Sequence, residues 1–215
     1  MELHLFRHGQ SGWNVSRRVQ GHSESRLTDA GVEQARELGR RVKAIGFDRV
    51  YCSSSQRTRQ TARYMFGGEA EEICYRDALR EIFLGPWEGR LYEDVKSHEP
   101  DSFHHFWHQP HLFNVLGAES FYDLQKRAVA AVGDIYSECA GQTVALVSHG
   151  AWIKTVLAHF QALDMSELWT PPHLHNCAHS IIHLHGGGNG KVLQIADVAA
   201  NAMDTANSPT AGEPR

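Results

Sequence analysis

The apolar stretch TVALVS, residues 143–148, constrains the fold of this chain more than any other segment. Its apolar residues run on without the alternation of a half-buried strand, which is typical of a strand covered on both faces. Such strands occur in parallel sheets that lie between two layers of helices. A stretch with the length and pattern of a helix follows at 151–163. The two segments together predict an α/β protein.

The rest of the chain repeats this alternation. The same patterns predict strands at residues 2–6 and 48–54 and a helix at 56–66. Another helix is predicted between an N-cap at Thr28 and a stop at Gly46. Strands that alternate with helices predict a three-layer α/β/α sandwich with a mostly parallel sheet. The sequence GGGNG at 186–190 predicts a hairpin-like connection between two later strands.

The length of 215 residues fits one domain, which we place at residues 1–198. Residues 83–118 are aromatic and interrupted by prolines, so we expect a loop-rich, partly helical insertion there. Glu119 is expected to open the next helix. The segment 199–215 is expected to be a C-terminal tail without a role in the core.

Charge and composition indicate the setting in which the protein acts. The net charge of −4 and the 41% hydrophobic content predict neither a nucleic-acid nor a membrane partner. No apolar run approaches the ~18 residues of a membrane span. A strand begins within two residues of the first, which argues against a signal peptide, and the four cysteines lack CxxC spacing. We therefore expect a cytoplasmic protein, with a homodimer as a possible assembly.

Histidine is unusually frequent, with 15 residues, many of them clustered at 103–113 and 173–185. Because histidine is the commonest metal ligand, a metal site has to be weighed. These clusters lack a ligand spacing and an accompanying acidic group, so the sequence predicts no dedicated metal site.

Polar residues follow three of the predicted strands. The three segments are Arg7-His8-Gly9, Ser53-Ser54 with the later Arg57 and Arg59, and Ser148-His149-Gly150. In open α/β sheets, ligands bind outside the carboxyl ends of the strands, where helix N-termini favour anions. Guanidinium groups match phosphate oxygens in pairs, and a neutral imidazole is a competent nucleophile for phosphorus. The three segments together predict a site for a phosphoryl group.

These segments resemble the histidine phosphatase superfamily, also called phosphoglycerate mutase-like. Successive family motifs are matched in order by FRHGQSGWN, LTDAGVEQA, CSSSQRTRQTA, LREIFLGPWEG and LVSHG. The resemblance runs from about Leu3 to Asp197, nearly the whole chain. The later stretches ESFYDLQKRAVAAV and ELWTPPHL look most like the broad-specificity phosphatase branch.

The resemblance implies a role for each matching position. His8 would be the nucleophile that becomes phosphohistidine. Arg7, Arg57 and His149 would hold the phosphoryl oxygens and neutralise the charge of the transition state. Glu81 would protonate the leaving oxygen and then act as the base for water.

Further positions are implied for substrate binding. Asn14, with Gln20 and Gly21, would line the entrance, and Ser148 and Gly150 would contact the substrate at the third strand end. By spacing alone, the carboxyl group of Glu88 is an alternative acid, and the position of Glu81 in the family motif favours Glu81.

The implied activity is that of a phosphomonoesterase of the histidine acid phosphatase type, which hydrolyses small organic phosphates without a metal or cofactor. Arginines would carry the charge that Mg²⁺ carries elsewhere. Two alternatives remain, a cofactor-dependent phosphoglycerate mutase and a non-catalytic module that binds phosphorylated ligands. Only residues 82–148 separate Glu81 from His149, whereas mutases carry a longer insertion there, which favours hydrolysis. A binding module could dispense with the acid.

Overall fold

A seven-stranded sheet forms the centre of the fold in a computed structural model that describes residues 1–67, 73–186 and 188–200. The strand order is β3-β2-β4-β1-β5-β6-β7. The strands are β1 Glu2–Arg7, β2 Arg49–Ser53, β3 Ile73–Arg76, β4 Thr143–Ser148, β5 His179–Gly186, β6 Asn189–Ile195 and β7 Val198–Ala199. Strands β3, β2, β4 and β1 are parallel, and β5, β6 and β7 add antiparallel pairs at one side. The predicted parallel sheet is confirmed for the core, which carries the three polar strand ends.

Helices flank this sheet. They are α1 Gly12–Val15, α2 Asp29–Val42, α3 Gln56–Phe66, α4 Tyr92–His98, α5 Pro100–His108, α6 Phe121–Cys139 and α7 Gly150–Phe160. Helix α6 begins after Ser120 and not at Glu119, because the Ser120 hydroxyl accepts the N–H of Asp123 in a capping box. None of the helices in the described residues is long and apolar enough to cross a membrane.

Strand β4 is apolar on both faces because its successive side chains point into two different cores. Val144 and Leu146 pack in the larger core with α6 and α7, whereas Ala145 and Val147 pack in a second core with α2 and α3. A sheet covered on both faces is the three-layer sandwich that the sequence predicts.

The insertion at 83–118 is partly helical and is built around aromatic rings. The Trp87 ring is buried, and its centroid lies 6.0 Å from that of Phe106. The Phe106 centroid in turn lies 5.8 Å from that of Trp169. Pro100 begins α5, where a missing N–H costs nothing. The insertion therefore packs on the larger core and stands beside the carboxyl ends of the parallel strands.

The C-terminal part of the chain confirms the predicted hairpin and corrects the predicted start of the tail. The hairpin around 186–190 is present, with β5 and β6 antiparallel. Ala199, assigned to the tail, pairs with Gln194 of β6 and so belongs to the sheet. Residues 201–215 of the tail lie outside the described residues, as do the first two residues of segment 71–82, where the sequence EEICYRDALREI predicts a short strand and then a loop.

Two buried imidazoles make stability depend on pH. His4 Nδ1 lies 2.9 Å from His179 Nε2, and both side chains are less than 9% exposed. Burial lowers the pKa of His4, and it lowers the pKa of His179 to about 3, with the neighbouring His4 and Arg41 as further causes. The unfolded chain, whose histidines have a pKa near 6.5, therefore binds protons that the folded chain resists.

We expect the free energy of unfolding to fall as the pH drops from 6.5 towards 3. The slope is about 1.4 kcal/mol per pH unit for each imidazole that only the unfolded state protonates. Urea denaturation at a series of pH values measures this slope. His179→Gln should lower it by the share of one imidazole, because His4 and the buried His8 and His149 still contribute, and His98→Gln, at an exposed position, should leave it unchanged. A flat profile between pH 7 and 4 would contradict the expectation.

Candidate active site

A cavity of about 310 Å³ lies at the carboxyl ends of the parallel strands, beside the N-terminus of α7. Because β1 pairs with β4 in parallel, Arg7 lies opposite Ser148 and the first and third strand ends are adjacent. Eight of the ten predicted site residues line the cavity, namely Arg7, His8, Asn14, Gln20, Gly21, Arg57, Glu81 and Gly150. Ser148 and His149 lie behind it.

His8 has a free nitrogen suited to attack. Its side chain is buried, and Nδ1 lies 2.8 Å from the Gly9 carbonyl oxygen. A carbonyl only accepts, so Nδ1 carries the proton and Nε2 carries the lone pair. Burial lowers the pKa of His8 well below its usual value, and the charges of Arg57 and Arg7 lower it further. The imidazole is therefore neutral near pH 7, the form in which it is a nucleophile.

Two guanidinium groups flank His8, with Arg57 buried and Arg7 half-buried. Arg57 donates from Nη1 to the Ser23 carbonyl at 2.9 Å and from Nη2 to the Gly21 carbonyl at 2.8 Å. Arg7 donates from Nη1 to the Leu174 carbonyl. Burial lowers the pKa of Arg57 to about 10, so the group stays charged near pH 7. In the described part of the chain, Nε of each arginine is buried and has no hydrogen-bond partner.

His149 caps the start of α7 and lies behind His8, with the two ring centroids 5.4 Å apart. Its Nε2 lies 2.8 Å from Ser53 Oγ, which also accepts the Ser55 N–H at 3.4 Å. The Ser53 hydroxyl can donate either to this Nε2 or to Ser55 Oγ at 3.5 Å, and donation to the nearer Nε2 leaves the imidazole proton on Nδ1. That Nδ1 is buried without a partner among the described residues. Burial, followed by the charge of Arg57, lowers the pKa of His149 well below its usual value.

The Glu81 carboxylate is held at the N-terminus of α7. It accepts the N–H of Ala151 at 3.1 Å and the N–H of Trp152 at 3.0 Å. The Glu81 carbonyl lies 2.8 Å from His22 Nε2 and accepts from Arg127 Nη2 at 3.1 Å. Both the backbone and the side chain of Glu81 are therefore fixed, which keeps the acid at a set place in the cavity.

Of the two positions predicted to contact substrate at the end of β4, Gly150 lines the cavity and Ser148 does not. A Cβ on Gly150 would lie 3.5 Å from Arg7 Nε and 3.9 Å from Glu81 Oε2, which are ordinary contacts, so the first residue of α7 lies beside both side chains. Ser148, predicted to bind substrate, donates its hydroxyl to the Leu79 carbonyl at 2.8 Å. It holds the chain that precedes Glu81 and does not reach the cavity, because its side chain points into the sheet–loop junction.

Glu88, the alternative acid, holds two loops together. Its Oε1 accepts the N–H of His22 at 2.8 Å and the N–H of Leu84 at 3.1 Å. Gly21 approaches it closely with a φ of +52°, and a Cβ there would lie 2.1 Å from Glu88 Oε1. These contacts engage the Glu88 carboxylate with the backbone of both loops.

A family model described as histidine phosphatase superfamily (branch 1) matches residues 3–197. The chain belongs to the histidine phosphatase superfamily. It is 29% identical to phosphoserine phosphatase 1 of Hydrogenobacter thermophilus, over 86% of this chain and 87% of that protein. It is 31% identical to the probable phosphoglycerate mutase GpmB of Salmonella paratyphi A, over 70% of each chain.

Solved structures share the fold of this histidine phosphatase family member. YhfR of Bacillus stearothermophilus superposes with a TM-score of 0.86 at 38% identity, over 93% of this chain and 98% of that chain. The phosphoglycerate mutase-like architecture is therefore confirmed, and the two curated relatives differ in the activity their names state.

Two amides lie at the entrance of the histidine phosphatase cavity. Asn14 Oδ1 accepts the Ser11 N–H at 3.0 Å, and Gln20 Oε1 accepts the hydroxyls of Ser11 and Ser25 at 2.9 Å each. With both oxygens engaged, the two NH₂ groups donate to no protein group in the described ranges. They are available to an anion in the cavity.

The wall above the phosphoryl site was not predicted residue by residue. It is formed by aromatic and aliphatic side chains together with one ammonium group, namely Ile82, Leu84, Tyr92, Phe106, Trp107, Lys154, Trp169, His173 and Leu174. Burial raises the pKa of Tyr92 to about 12, so its hydroxyl is protonated. The only available signal for Lys154 was its position four residues after Gly150, which places both on one face of α7.

Proposed function

We propose that the protein hydrolyses small organic phosphomonoesters through a phosphohistidine at His8. Five buried side-chain nitrogens lack partners among the described residues, and three of them, Arg7 Nε, Arg57 Nε and His149 Nδ1, surround His8; this grouping is the observation that carries the proposal. Buried polar groups are almost always paired, so these nitrogens indicate a ligand with several acceptor oxygens beside His8. Membership of a family that includes a named phosphoserine phosphatase supports the same activity.

In the first step, the lone pair on His8 Nε2 attacks phosphorus. The bond from phosphorus to the ester oxygen breaks, its electrons go to that oxygen, and the oxygen takes the proton of Glu81. The product alcohol leaves. The carboxylate that remains on Glu81 is stabilised by the N–H groups of Ala151 and Trp152 and by the N-terminus of α7.

In the second step, a water molecule attacks the phosphohistidine. Glu81 takes a proton from the water, the bond from phosphorus to Nε2 breaks, and phosphate leaves. The electrons return to His8 Nε2, which restores the neutral imidazole that burial and the arginines favour. Glu81 is again protonated and ready for the next ester.

We further propose a histidine acid phosphatase-type reaction that needs neither a metal nor a cofactor. Arg7, Arg57 and the N-terminus of α7 supply the positive field that stabilises the phosphoryl oxygens. The cytoplasmic location and the homodimer stay predictions.

A phosphoglycerate mutase remains the second candidate, because one curated relative bears that name. A mutase has to bind a substrate that carries two phosphoryl groups at the point of transfer. Beyond Arg7 and Arg57, the wall of this cavity is largely aromatic, and Lys154 is its one lysine among the described residues. That charge distribution favours a hydrolase.

Product analysis separates the two activities. We expect purified protein to release phosphate from p-nitrophenyl phosphate and from 3-phosphoglycerate in the presence of EDTA, with no 2-phosphoglycerate formed. The arginines supply the charge, so the chelator should change the rate by less than twofold. Interconversion of the phosphoglycerates without phosphate release would establish the mutase instead, and loss of activity in EDTA, restored by a metal ion, would contradict metal independence.

A further inference from the structure

Lys154 is a buried lysine that lines the active-site cavity and has no role in the steps above. Its side chain is 8% exposed and lies one helical turn beyond Gly150 on α7. Nζ donates to the Thr170 carbonyl at 2.6 Å and, at a longer 3.4 Å, to the Pro172 carbonyl. The ammonium group therefore lies against segment 169–174, which forms part of the cavity wall.

The charge of Lys154 has no counter-ion among the residues that the structure describes. No carboxylate pairs with Lys154 within residues 1–67, 73–186 and 188–200. Burial alone lowers its pKa to about 8. An ammonium group has three N–H donors, and the two carbonyls engage at most two of them. A buried charge without a partner is unfavourable, and an anion that enters the cavity would remove that penalty.

We propose that Lys154 binds a carboxylate of the substrate, so that the preferred substrates are phosphomonoesters with a carboxylate close to the ester oxygen. This inference rests on the proposed phosphatase function and names its substrate class. The phosphoryl group is held at Gly150 and the arginines. Lys154 follows Gly150 by four positions on α7, a rise of about 6 Å along the helix axis. A carboxylate one to three carbons from the ester oxygen spans that distance.

The surroundings of Lys154 favour a carboxylate over a second phosphate. One ammonium with one remaining donor matches a single negative charge, whereas a phosphate dianion is usually met by several donors or an arginine fork. The side chains of Phe106, Trp107 and Trp169 close the rest of the wall, and the cavity of about 310 Å³ admits only a small molecule.

The test compares esters that differ only in the carboxylate. Steady-state rates are measured for phosphoglycolate against ethyl phosphate, and for 3-phosphooxypropionate against propyl phosphate. The enzymes are the natural sequence, Lys154→Met, Lys154→Arg and, as a matched control, Lys126→Met at an exposed position on α6. Thermal melting of each variant checks that it is folded.

We expect the natural enzyme to have a kcat/KM at least tenfold higher for each carboxylated ester than for the alkyl phosphate that lacks the carboxylate. Lys154→Met should remove this preference, with a loss in kcat/KM that is at least tenfold larger for the carboxylated esters than for the alkyl phosphates and that appears in KM. Lys154→Arg should keep part of the preference, and Lys126→Met should keep all of it.

Three outcomes would overturn the inference. They are the absence of a preference in the natural enzyme, a preference that survives in Lys154→Met, and an equal loss on both esters in a folded Lys154→Met. The last would mean that Lys154 only holds segment 169–174. Failure of the natural enzyme to release phosphate from any of the four esters or from p-nitrophenyl phosphate would instead count against the proposed function.

Discussion

Replacement of His8 by alanine is expected to lower the rate of phosphate release by roughly 10⁴-fold or more, because the reaction loses its nucleophile. Water would have to attack the ester directly, without the covalent intermediate. The arginines and the N-terminus of α7 would remain, so the variant should still bind phosphate esters. Phosphate release at saturating p-nitrophenyl phosphate, together with calorimetric titration of inorganic phosphate, measures both properties.

Trapping of the intermediate sharpens this experiment. An N–P bond survives alkali and breaks in acid, so alkaline quenching followed by intact-protein mass spectrometry should reveal one added HPO₃ group in the natural enzyme. The group should map to His8 and be absent from His8→Ala. His104→Ala, an exposed histidine on α5, is the matched control and should behave as the natural enzyme. Unchanged turnover in His8→Ala would refute the covalent mechanism, and a natural enzyme that binds esters without turnover would favour the binding module.

Replacement of Glu81 by glutamine should have an effect that depends on the leaving group. An alkyl phosphate needs a proton on its departing oxygen, so its rate should fall by about 10²–10⁴-fold. Nitrophenolate departs without that proton, so His8 should still be phosphorylated rapidly by p-nitrophenyl phosphate. Water attack then lacks its base. Stopped-flow mixing should therefore show a burst of one nitrophenolate per active site, followed by slow turnover.

Glu88→Gln is the matched control for Glu81, because the same chemical change falls in the same loop region seven residues later. Glu88 holds the backbone of His22 and Leu84, so we expect it to change the melting temperature and to affect both esters alike. A leaving-group effect in Glu88→Gln, with none in Glu81→Gln, would reassign the acid. Equal losses on both esters in Glu81→Gln without a burst would mean that Glu81 only holds the start of α7.

Much of the fold and of the phosphoryl site follows from local sequence. The run at 143–148 predicts a doubly covered strand because Val144 and Ala145 are both apolar, and the structure buries them in separate cores. The motifs at His8 and His149 end neighbouring parallel strands, and such ends meet at one edge of a sheet. Arg7, His8 and Gly150 line the cavity for this reason.

At Ser148 and at the start of α6, the structure differs from the sequence prediction because the outcome depends on the direction of one side chain. Ser148 shares the strand end of His149, yet its hydroxyl turns to the Leu79 carbonyl, 69 residues away in sequence. Ser120, and not Glu119, caps α6 because the reciprocal bonds with Asp123 form only at that register. The position of a residue in its motif predicts neither the direction of the Ser148 hydroxyl nor the residue that caps α6.

The sequence by itself therefore determined the sheet, its covering layers and the group of residues that surrounds the phosphoryl site, since periodicity and strand ends are local properties of the chain. Only the tertiary structure decided the wall of the cavity. Lys154 lines the cavity without a carboxylate partner in the described part of the chain because α7, the insertion and segment 169–174 fold against one another. Burial and the loss of counter-ions arise from contacts between distant parts of the chain, which no local pattern records.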